Sequence, residues 1–226
     1  AAAGGYAGIP ECGDGPQGAC PNCDQVSPTI YVTESGIIVG GPDDGQTYAG
    51  VLRGTKGDDI IMGTDGADEI HGYNGDDTIC GLGGGDQLYG GNHNDVLCGG
   101  EGNDELYGGN QADLLCGGPG DDLLDGGKQA DVLCGGVGDD QLYGDKGGDS
   151  LDGGAGTDTL AGGGGTDNCC NGTPEGCESQ DCGPTGAIYA VFDIQSTSQD
   201  ITTTVRISET VSGEMKVRAW HSEATD

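Results

Sequence analysis

The sequence predicts an all-β repeat protein in which many short strands stack around a narrow core. Three observations carry this prediction: a nine-residue period without insertions, 51 glycines among 226 residues, and one large aliphatic residue in nearly every period. A glycine content this high indicates either disorder or a repeat whose backbone needs glycine. The strict period selects the repeat.

The nonapeptides run from Gly54 to Cys170 and make thirteen units, of which GGEGNDELY and GGNQADLLC are typical. The sixth residue is always aspartate, and the eighth is Ile or Leu in all but the last unit. Glycines recur at the first, second and fourth positions, where they permit backbone angles that other residues rarely adopt. We expect the eighth side chain to point inward, so that stacked units share one continuous core.

These units resemble the RTX, or hemolysin-type, calcium-binding repeats, whose pattern is G-G-x-G-x-D-x-U-x with U a large aliphatic residue. The resemblance covers residues 54–170, about half of the chain. It implies a right-handed parallel β-roll in which six residues of each unit turn around a Ca²⁺ ion and three form a strand, with two units per coil. Carboxylate and carbonyl oxygens are ligands that suit Ca²⁺. The expected fold is therefore an all-β roll of about 13 repeats, flanked by small disulfide-containing β segments.

With two units per coil, residues 18 apart stack at the ~4.8 Å spacing of neighbouring strands, and the aspartates form two columns. The first column, in which the fourth position is always glycine, contains Asp68, Asp86, Asp104, Asp122, Asp140 and Asp158. The second column contains Asp59, Asp77, Asp95, Asp113, Asp131, Asp149 and Asp167. Its fourth position changes to His93, Gln111 and Gln129, which departs from the family pattern. We expect both columns to bind calcium, but Asp113 and Asp131 only weakly.

The aspartates could instead simply end turns, as this residue often does. Thirteen of them in register argue against that alternative. Carboxylates ~4.8 Å apart repel by about 1 to 3 kcal/mol per pair, and bound Ca²⁺ reverses the sign. The roll is therefore predicted to be largely unfolded without calcium and to fold as calcium binds.

The ninth position differs between the two predicted sheets. Cys80, Cys98, Cys116 and Cys134 recur every 18 residues on one sheet, and the other sheet has a tyrosine row that is either solvent-facing or a docking surface. Neighbouring cysteines would have Cα atoms ~4.8 Å apart, which a disulfide accepts. Bonds such as Cys80–Cys98 and Cys116–Cys134 are predicted. The alternatives are apolar free thiols, bonds to another chain, and a soft-metal column.

All eleven cysteines are disulfide candidates, and their odd number leaves at least one free or shared between chains. The other seven are Cys12, Cys20, Cys23, Cys169, Cys170, Cys177 and Cys182. This cysteine usage indicates an oxidising compartment. The opening AAAGGYAG looks like a mature chain after cleavage of a signal peptide. The protein is therefore expected to be secreted, extracellular or at the cell surface.

The chain divides into a flank at 1–53, the roll at 54–170 and a second flank at 171–226. The first flank has a cysteine cluster and then the strand-like PTIYVTESGIIVGG; the second has another cluster and three alternating, strand-like runs. A roll has an open strand edge at each end, and open edges pair with other strands. The flanks are therefore predicted to be caps or connectors between subunits.

Charge and motifs restrict the function. A net charge of −32 with only seven Lys and Arg argues against a nucleic-acid partner. No run of about 18 apolar residues is present, so no membrane span is expected. No catalytic motif appears, and we expect the protein not to be an enzyme.

The predicted function is that of a secreted calcium-binding structural protein, a self-assembling subunit of an extracellular filament or matrix. Its partners would be calcium ions and copies of itself, with the small-residue tail AAAGGYAG inserting into a neighbour as a strand. The alternatives are a monomeric secreted or cell-surface calcium-binding or adhesion module, and a fragment of an RTX enzyme or toxin.

Overall fold

A computed structural model describes residues 27–177, which form two parallel sheets and one short hairpin. The strands are β1 (Tyr31–Val32), β2 (Ile38–Val39), β3 (Val51–Arg53), β4 (Ile60–Met62), β5 (Glu69–Asn74), β6 (Thr78–Gly83), β7 (Gln87–Asn92), β8 (Val96–Glu101), β9 (Glu105–Asn110), β10 (Leu114–Pro119), β11 (Leu123–Lys128), β12 (Val132–Val137), β13 (Gln141–Tyr143), β14 (Ser150–Ala155), β15 (Thr159–Ala161), β16 (Asn168–Cys170) and β17 (Thr173–Glu175). These described residues form no helix long and apolar enough to cross a membrane.

From β3 onward the chain alternates between the two sheets after every strand. The even strands β4 to β16 build a seven-stranded sheet, and the odd strands β3 to β17 build an eight-stranded sheet. Each strand is parallel to the strand two before it, and the register is 18 residues: Leu97 lies opposite Leu115, and Leu115 opposite Leu133. The predicted all-β parallel roll with two units per coil is confirmed.

The roll is longer than the repeat pattern alone indicates. Strand β3 precedes the first nonapeptide, and its Leu52 pairs with Ile70 as if it were the eighth residue of a unit. Strand β17 follows the last nonapeptide and pairs with β15. The eight-stranded sheet therefore gains one strand at each end, and the roll has about seven coils.

The strands are also longer than the three residues that the resemblance implies. Strands β5 to β12 and β14 each have six residues, because the ladder continues into the next unit through pairs such as Gly118 with Gly136 and Gly127 with Gly109. The turn that contains the aspartate is correspondingly short. Glycines without side chains allow the chain to bend while its backbone stays in the ladder.

The core is a single row of side chains between the sheets. The eighth-position residues from Ile61 to Leu160 are at most 1% exposed, and Cys169 continues the row at 2%. They form one cluster with Leu52, Ile30 and Ile38. Successive residues of a strand point to opposite faces of the sheet. Each unit therefore contributes one inward side chain, that of its eighth residue, as the sequence predicts.

The hairpin of β1 and β2 closes one end of the core. The amides of Thr29 and Ile30 donate to the carbonyl of Ile60 at 2.8 and 3.1 Å, and the amide of Met62 donates to the carbonyl of Ile30 at 2.9 Å. Ile30 and Ile38 are buried against the end of the aliphatic row. This part of the first flank therefore covers the edge strand β4, which removes an open edge.

At the other end, Cys169 and Cys177 form a disulfide with Cα atoms 6.0 Å apart. The predicted cysteine cluster at 11–23, the AAAGGYAG tail and the three C-terminal strand-like runs lie outside the described residues.

The predicted aromatic row lies on the eight-stranded sheet, where His71, Tyr89, Tyr107, Asp125 and Tyr143 are in register. The rings of His71 and Tyr89 stack at 4.7 Å between centroids, and those of Tyr89 and Tyr107 at 5.1 Å. The rings are half-buried. Stacking covers their faces and leaves their edges to solvent.

The inward aliphatic row predicts that alanine substitutions at two neighbouring leucines lower the free energy of unfolding by very different amounts. Leu124→Ala removes a fully buried side chain and should lower the free energy of unfolding by about 2 to 5 kcal/mol. Leu123→Ala removes a half-buried side chain on the opposite face and serves as the control. Urea unfolding at saturating calcium measures both, and equal losses would contradict the assignment of faces.

Candidate metal centre

The aspartates form two continuous hydrogen-bonded ladders along the roll. All thirteen are at most 7% exposed. Except in Asp158 and Asp167, which end the columns, the amide of each aspartate donates to Oδ1 of the aspartate 18 residues later: Asp104 donates to Asp122, and Asp122 to Asp140, with distances of 2.8 to 3.0 Å throughout the ladders. The carbonyl of Asp104 accepts from the amide of Leu123 at 2.8 Å. Each carboxylate is thus fixed at the turn that precedes a strand.

The second carboxylate oxygen has no such partner over most of the roll. It is buried and accepts no hydrogen bond in Asp77, Asp86, Asp95, Asp104, Asp113, Asp122, Asp131, Asp140 and Asp149. Buried polar atoms are nearly always satisfied, and a buried carboxylate oxygen that is not satisfied calls for a proton or a cation. This row of oxygens fits a chain of bound cations.

The orphan oxygen faces the backbone of its own unit. A Cβ atom placed on Gly108 would lie 2.6 Å from Oδ2 of Asp113 and 2.9 Å from the carbonyl oxygen of Gly126. A Cβ on Gly144 would lie 2.5 Å from Oδ2 of Asp149 and 2.6 Å from the carbonyl oxygen of Gly162. The first position of the unit must therefore be glycine. Its missing side chain lets a carboxylate oxygen and a carbonyl oxygen of the next coil approach one point.

A cation here would depend on backbone oxygens. Within residues 27–177 no group of three or more His, Cys, Asp or Glu side chains is placed to hold a metal ion. One carboxylate per turn together with converging carbonyls is a hard, all-oxygen donor set, which suits Ca²⁺. Thiolate- or imidazole-binding metals have no comparable site among these residues.

A sequence profile of the RTX calcium-binding nonapeptide repeat matches five overlapping stretches, 53–88, 81–106, 89–124, 107–142 and 134–169. Together they span residues 53–169, just over half of the 226 residues. The chain belongs to this RTX family. No curated protein matches the sequence. The RTX repeats account for all thirteen buried aspartates, and the family assigns calcium to the type of site that the orphan oxygens define.

The two RTX columns have different turns. In the first column the fourth-position glycines from Gly84 to Gly156 have φ of 123° to 155°, which other residues cannot adopt without strain. The amides of those from Gly84 to Gly138 donate to third-position carbonyls of the next coil, as Gly120 does to Val137 at 2.8 Å. In the second column His93, Gln111 and Gln129 have φ of 81°, 75° and 68°. The two columns therefore orient the peptide groups at the fourth position differently.

A ladder of glutamines replaces the backbone bond in the middle of the second column. The amide of His93 donates to Oε1 of Gln111 at 3.3 Å, and the amide of Gln111 donates to Oε1 of Gln129 at 3.1 Å. The orphan oxygens of Asp113 and Asp131 nevertheless match those of the first column. The weak binding predicted for these two aspartates stays a prediction, and the turn is where the difference would arise.

Two threonines, which the sequence analysis missed, modify the first unit of each column. Oδ2 of Asp59 accepts from the amide and hydroxyl of Thr55 at 2.6 and 2.9 Å. Oδ2 of Asp68 accepts from the amide and hydroxyl of Thr64 at 2.6 and 3.1 Å. The signal was present as GT in place of GG at the start of these two units. These carboxylates are satisfied by the protein itself.

Burial raises the pKa values of the ladder aspartates from Asp68 to Asp158. The pKa is raised to about 8 in Asp113 and Asp131, and to about 7 in Asp86, Asp95 and Asp122. In each case desolvation is the largest cause, repulsion from neighbouring aspartates adds to it, and the backbone hydrogen bond opposes it. Without a cation, the buried ladder therefore favours protonated carboxyl groups.

The cysteine column lies on the seven-stranded sheet, where Cys80, Cys98, Cys116 and Cys134 are in register. Cys116 is a buried free thiol, and burial raises its pKa to about 12. Cys98 and Cys134 are both disulfide-bonded, so neither in-register neighbour has a thiol left for Cys116. The predicted Cys116–Cys134 bond is therefore wrong. Cys80 and Cys170 are also disulfide-bonded, whereas Cys12, Cys20, Cys23 and Cys182 lie outside the described residues.

The different turns of the two columns predict unequal effects of matched substitutions. Asp104→Asn and Asp113→Asn each keep an oxygen that can accept from the amide 18 residues earlier but remove the charge. Asp104→Asn should raise the calcium concentration for half-maximal binding about tenfold, or about 1.4 kcal/mol. Asp113→Asn should change it by less than about twofold. Calcium titration by calorimetry, with ion counting by native mass spectrometry, tests this; equal losses would refute it.

The raised pKa values predict an inverted pH dependence for the metal-free protein. Aspartates whose folded pKa is about 6 to 8 stay protonated in the folded state after the unfolded chain, with a pKa near 3.8, has released its protons. Stability is therefore full below pH 4 and falls as the pH rises through 6 to 8. Calcium requires ionised carboxylates, so the calcium-loaded roll should instead become more stable as the pH rises.

Thermal unfolding between pH 4 and pH 8 measures how the melting temperature changes with pH, once in a chelator and once in calcium. The two slopes of melting temperature against pH are then compared. Slopes of the same sign in the two conditions would contradict the competition between protons and calcium.

Proposed function

We propose that the protein is an extracellular calcium-binding structural protein whose roll folds and stiffens when Ca²⁺ occupies the aspartate columns. The single observation that carries the proposal is the unbroken row of buried carboxylate oxygens without hydrogen-bond partners. Membership of the RTX family supports calcium as the cation. Each site is an ordered turn of a structural repeat, so binding and folding are one process.

The location outside the cell is supported by two properties of the chain. The described residues include a disulfide between Cys169 and Cys177, and such bonds persist in oxidising surroundings. Extracellular calcium modules commonly bind at about 0.1 to 1 mM, a concentration that cytosolic calcium does not reach. The same calcium dependence would keep the roll unfolded before export.

A structural role is favoured over catalysis because the repeats account for most of the described residues. Each position that recurs from unit to unit has a structural role here. Glycine leaves room for the carboxylate, aspartate lies in the turn, and the aliphatic residue fills the core. A fragment of an RTX enzyme or toxin would need its catalytic residues elsewhere.

The finer proposal is a self-assembling subunit of a filament or matrix. It depends on whether the edge strands at the two ends of the roll are free to pair with another chain. Ile30 covers the edge strand β4 at one end. At the other end Thr173 and Glu175 bond to the eight-stranded sheet, and Pro174 between them lacks an amide hydrogen to offer outward. One sheet edge at each end of the roll is therefore blunted, and this supports the alternative of a monomeric module.

Chelation should abolish the folded roll. In EGTA at pH 8 the far-ultraviolet circular dichroism of the β-roll should be lost, because without a cation the folded roll must keep its buried carboxyl groups protonated, whereas the unfolded chain has released those protons. Calcium should restore it with a midpoint of about 0.1 to 1 mM, whereas equal magnesium should not, since Mg²⁺ demands octahedral geometry with several retained waters. A spectrum unchanged by EGTA would contradict the proposal.

Electron microscopy of the calcium-loaded protein separates the two forms of the proposal. Filaments that disappear when residues 1–10 are deleted, with calcium binding preserved, would support assembly through tail insertion. Monodisperse particles at all protein concentrations would support the monomeric module instead.

A further inference from the structure

Three rows of residues run along the eight-stranded sheet, and each row repeats every 18 residues. The ninth position of the units supplies the tyrosine row. The second position supplies a glycine row, with Gly91, Gly109 and Gly127 in register, and the third an asparagine row of Asn74, Asn92 and Asn110. The glycine row has no side chains, so it forms the floor of a groove between the other two rows.

All three rows are interrupted at and beside strand β11. In the tyrosine row Asp125 replaces tyrosine, and in the asparagine row Lys128 replaces asparagine. One coil later Asp145 lies in the glycine row, and Lys146 is in register with Lys128. The inward aliphatic row and the aspartate ladders do not depend on these four side chains, since most units fold without them. The repeat therefore does not account for their presence.

The four side chains line one open cavity of about 360 Å³. This volume is at the small end of the range for ligand sites. Residues that interrupt three separate rows thus converge on one place on the surface. The cavity is completed by Tyr107, Gly109, Asn110 and Gly127.

Asp145 is in a backbone conformation for which glycine is the easier residue. Its φ is 64°, whereas the glycines before and after it in the row, Gly127 and Gly163, have φ of 95° and 94°. Residues other than glycine adopt positive φ uncommonly. The turn itself therefore does not require the carboxylate of Asp145, which is exposed at the rim of the cavity.

The charged groups of the cavity do not neutralise one another directly. Nζ of Lys128 donates to Oδ1 of Asn110 at 2.7 Å. Within residues 27–177 no ion pair joins either lysine to Asp125 or Asp145, although all four line the same cavity. A carboxylate only accepts hydrogen bonds and an ammonium group only donates them. The cavity therefore offers two acceptors and two donors with no net charge.

Tyr107 has an open ring face at the same place. On one side its ring stacks on that of Tyr89 at 5.1 Å between centroids. In register on the other side is Asp125, which has no ring, and Tyr143 is a further strand away, about 9.6 Å from Tyr107. The hydroxyl of Tyr107 donates to Oε2 of Glu105 at 3.0 Å, which holds the ring in place. The interruption of the row thus exposes an aromatic face beside the charged groups.

We propose that this cavity binds a neutral saccharide. Sugar hydroxyls donate to carboxylates and accept from ammonium groups, and the C–H face of a sugar ring packs on an aromatic ring. The two lysines would repel a metal cation, and the two aspartates would repel a small anion. An apolar ligand would desolvate all four charges without pairing them, which costs free energy.

Each lining group has a role in this proposal. The carboxylate of Asp125, which is half-buried, accepts from sugar hydroxyls, and the ammonium group of Lys128 donates to a sugar oxygen while Asn110 holds it in position. The open face of Tyr107 packs against the sugar ring. Asp145 and Lys146 add one acceptor and one donor a coil later. The site shares no residue with the aspartate columns, so sugar and calcium binding are separate properties of the chain.

Saturation-transfer difference NMR on the calcium-loaded full chain tests the proposal. The neutral probes are glucose, galactose, mannose, N-acetylglucosamine, maltose and cellobiose, and glucuronic acid is the charged probe. We expect saturation of the ring protons of at least one neutral sugar, and weaker binding of glucuronic acid than of glucose. If none of the neutral sugars binds, or if glucuronic acid binds more tightly than all of them, the proposal is wrong.

Matched variants then locate the bound sugar. Asp125→Asn and Lys128→Gln should each raise the dissociation constant of the best neutral probe about tenfold, because each removes a charge-assisted hydrogen bond. Asp152→Asn is the control for the first, since Asp152 has the same ninth position on the other sheet. Lys56→Gln is the control for the second, since Lys56 has the third position of the first unit.

Both controls should bind the probe as the unchanged chain does. Calcium titration and circular dichroism should be the same for all four variants, because none of them alters an aspartate of the columns. Losses of sugar binding that are equal in the variants and their controls would place the sugar elsewhere and overturn the assignment of this cavity.

Discussion

Carboxylates of like charge are stacked one strand apart in buried turns, and the rest of the roll is organised around the repulsion between them. The 18-residue register that builds the core also brings each aspartate above the previous one. The fold therefore cannot place its aliphatic row without also assembling the anionic columns. Hydrogen bonds to Oδ1 position the carboxylates but leave Oδ2 without a partner, so stability depends on what neutralises that oxygen.

The outer faces of the two sheets differ, although their inner faces are alike. On the eight-stranded sheet, stacked rings and polar side chains meet solvent. On the seven-stranded sheet, Leu114 and the cysteines are buried, and the Cys116 thiol is free. The inner row sets the fold, whereas the outer positions are free to vary and therefore distinguish one side of the molecule from the other.

The repeat and its period could be predicted from the sequence because a strict period is a property of the chain itself. The inward Leu and Ile residues, the stacked aspartates and the two columns all follow from an 18-residue coil. The added strands β3 and β17 could not be predicted, since VLR and TPE lack the aspartate and glycines of the unit. The capping role of Thr55 and Thr64 depends on side-chain contacts that the period does not encode.

The cysteine column shows why register alone is insufficient. Even spacing identified four thiols at suitable Cα distances, and it predicted bonds between neighbours. Disulfide choice also depends on competing thiols elsewhere in the chain, which a period cannot rank. Cys116 is an example, because it has two in-register cysteine neighbours and is bonded to neither.

The threonine-capped carboxylates of Asp59 and Asp68 give the roll a direction of growth. These two turns lie beside the hairpin-covered edge and need no ion to satisfy their oxygens. Ordering these two turns without metal therefore leaves neither Oδ2 atom without a hydrogen-bond partner. The coils beyond them have orphan oxygens that call for an ion at each turn, so we expect the solenoid to order from this end towards Cys169.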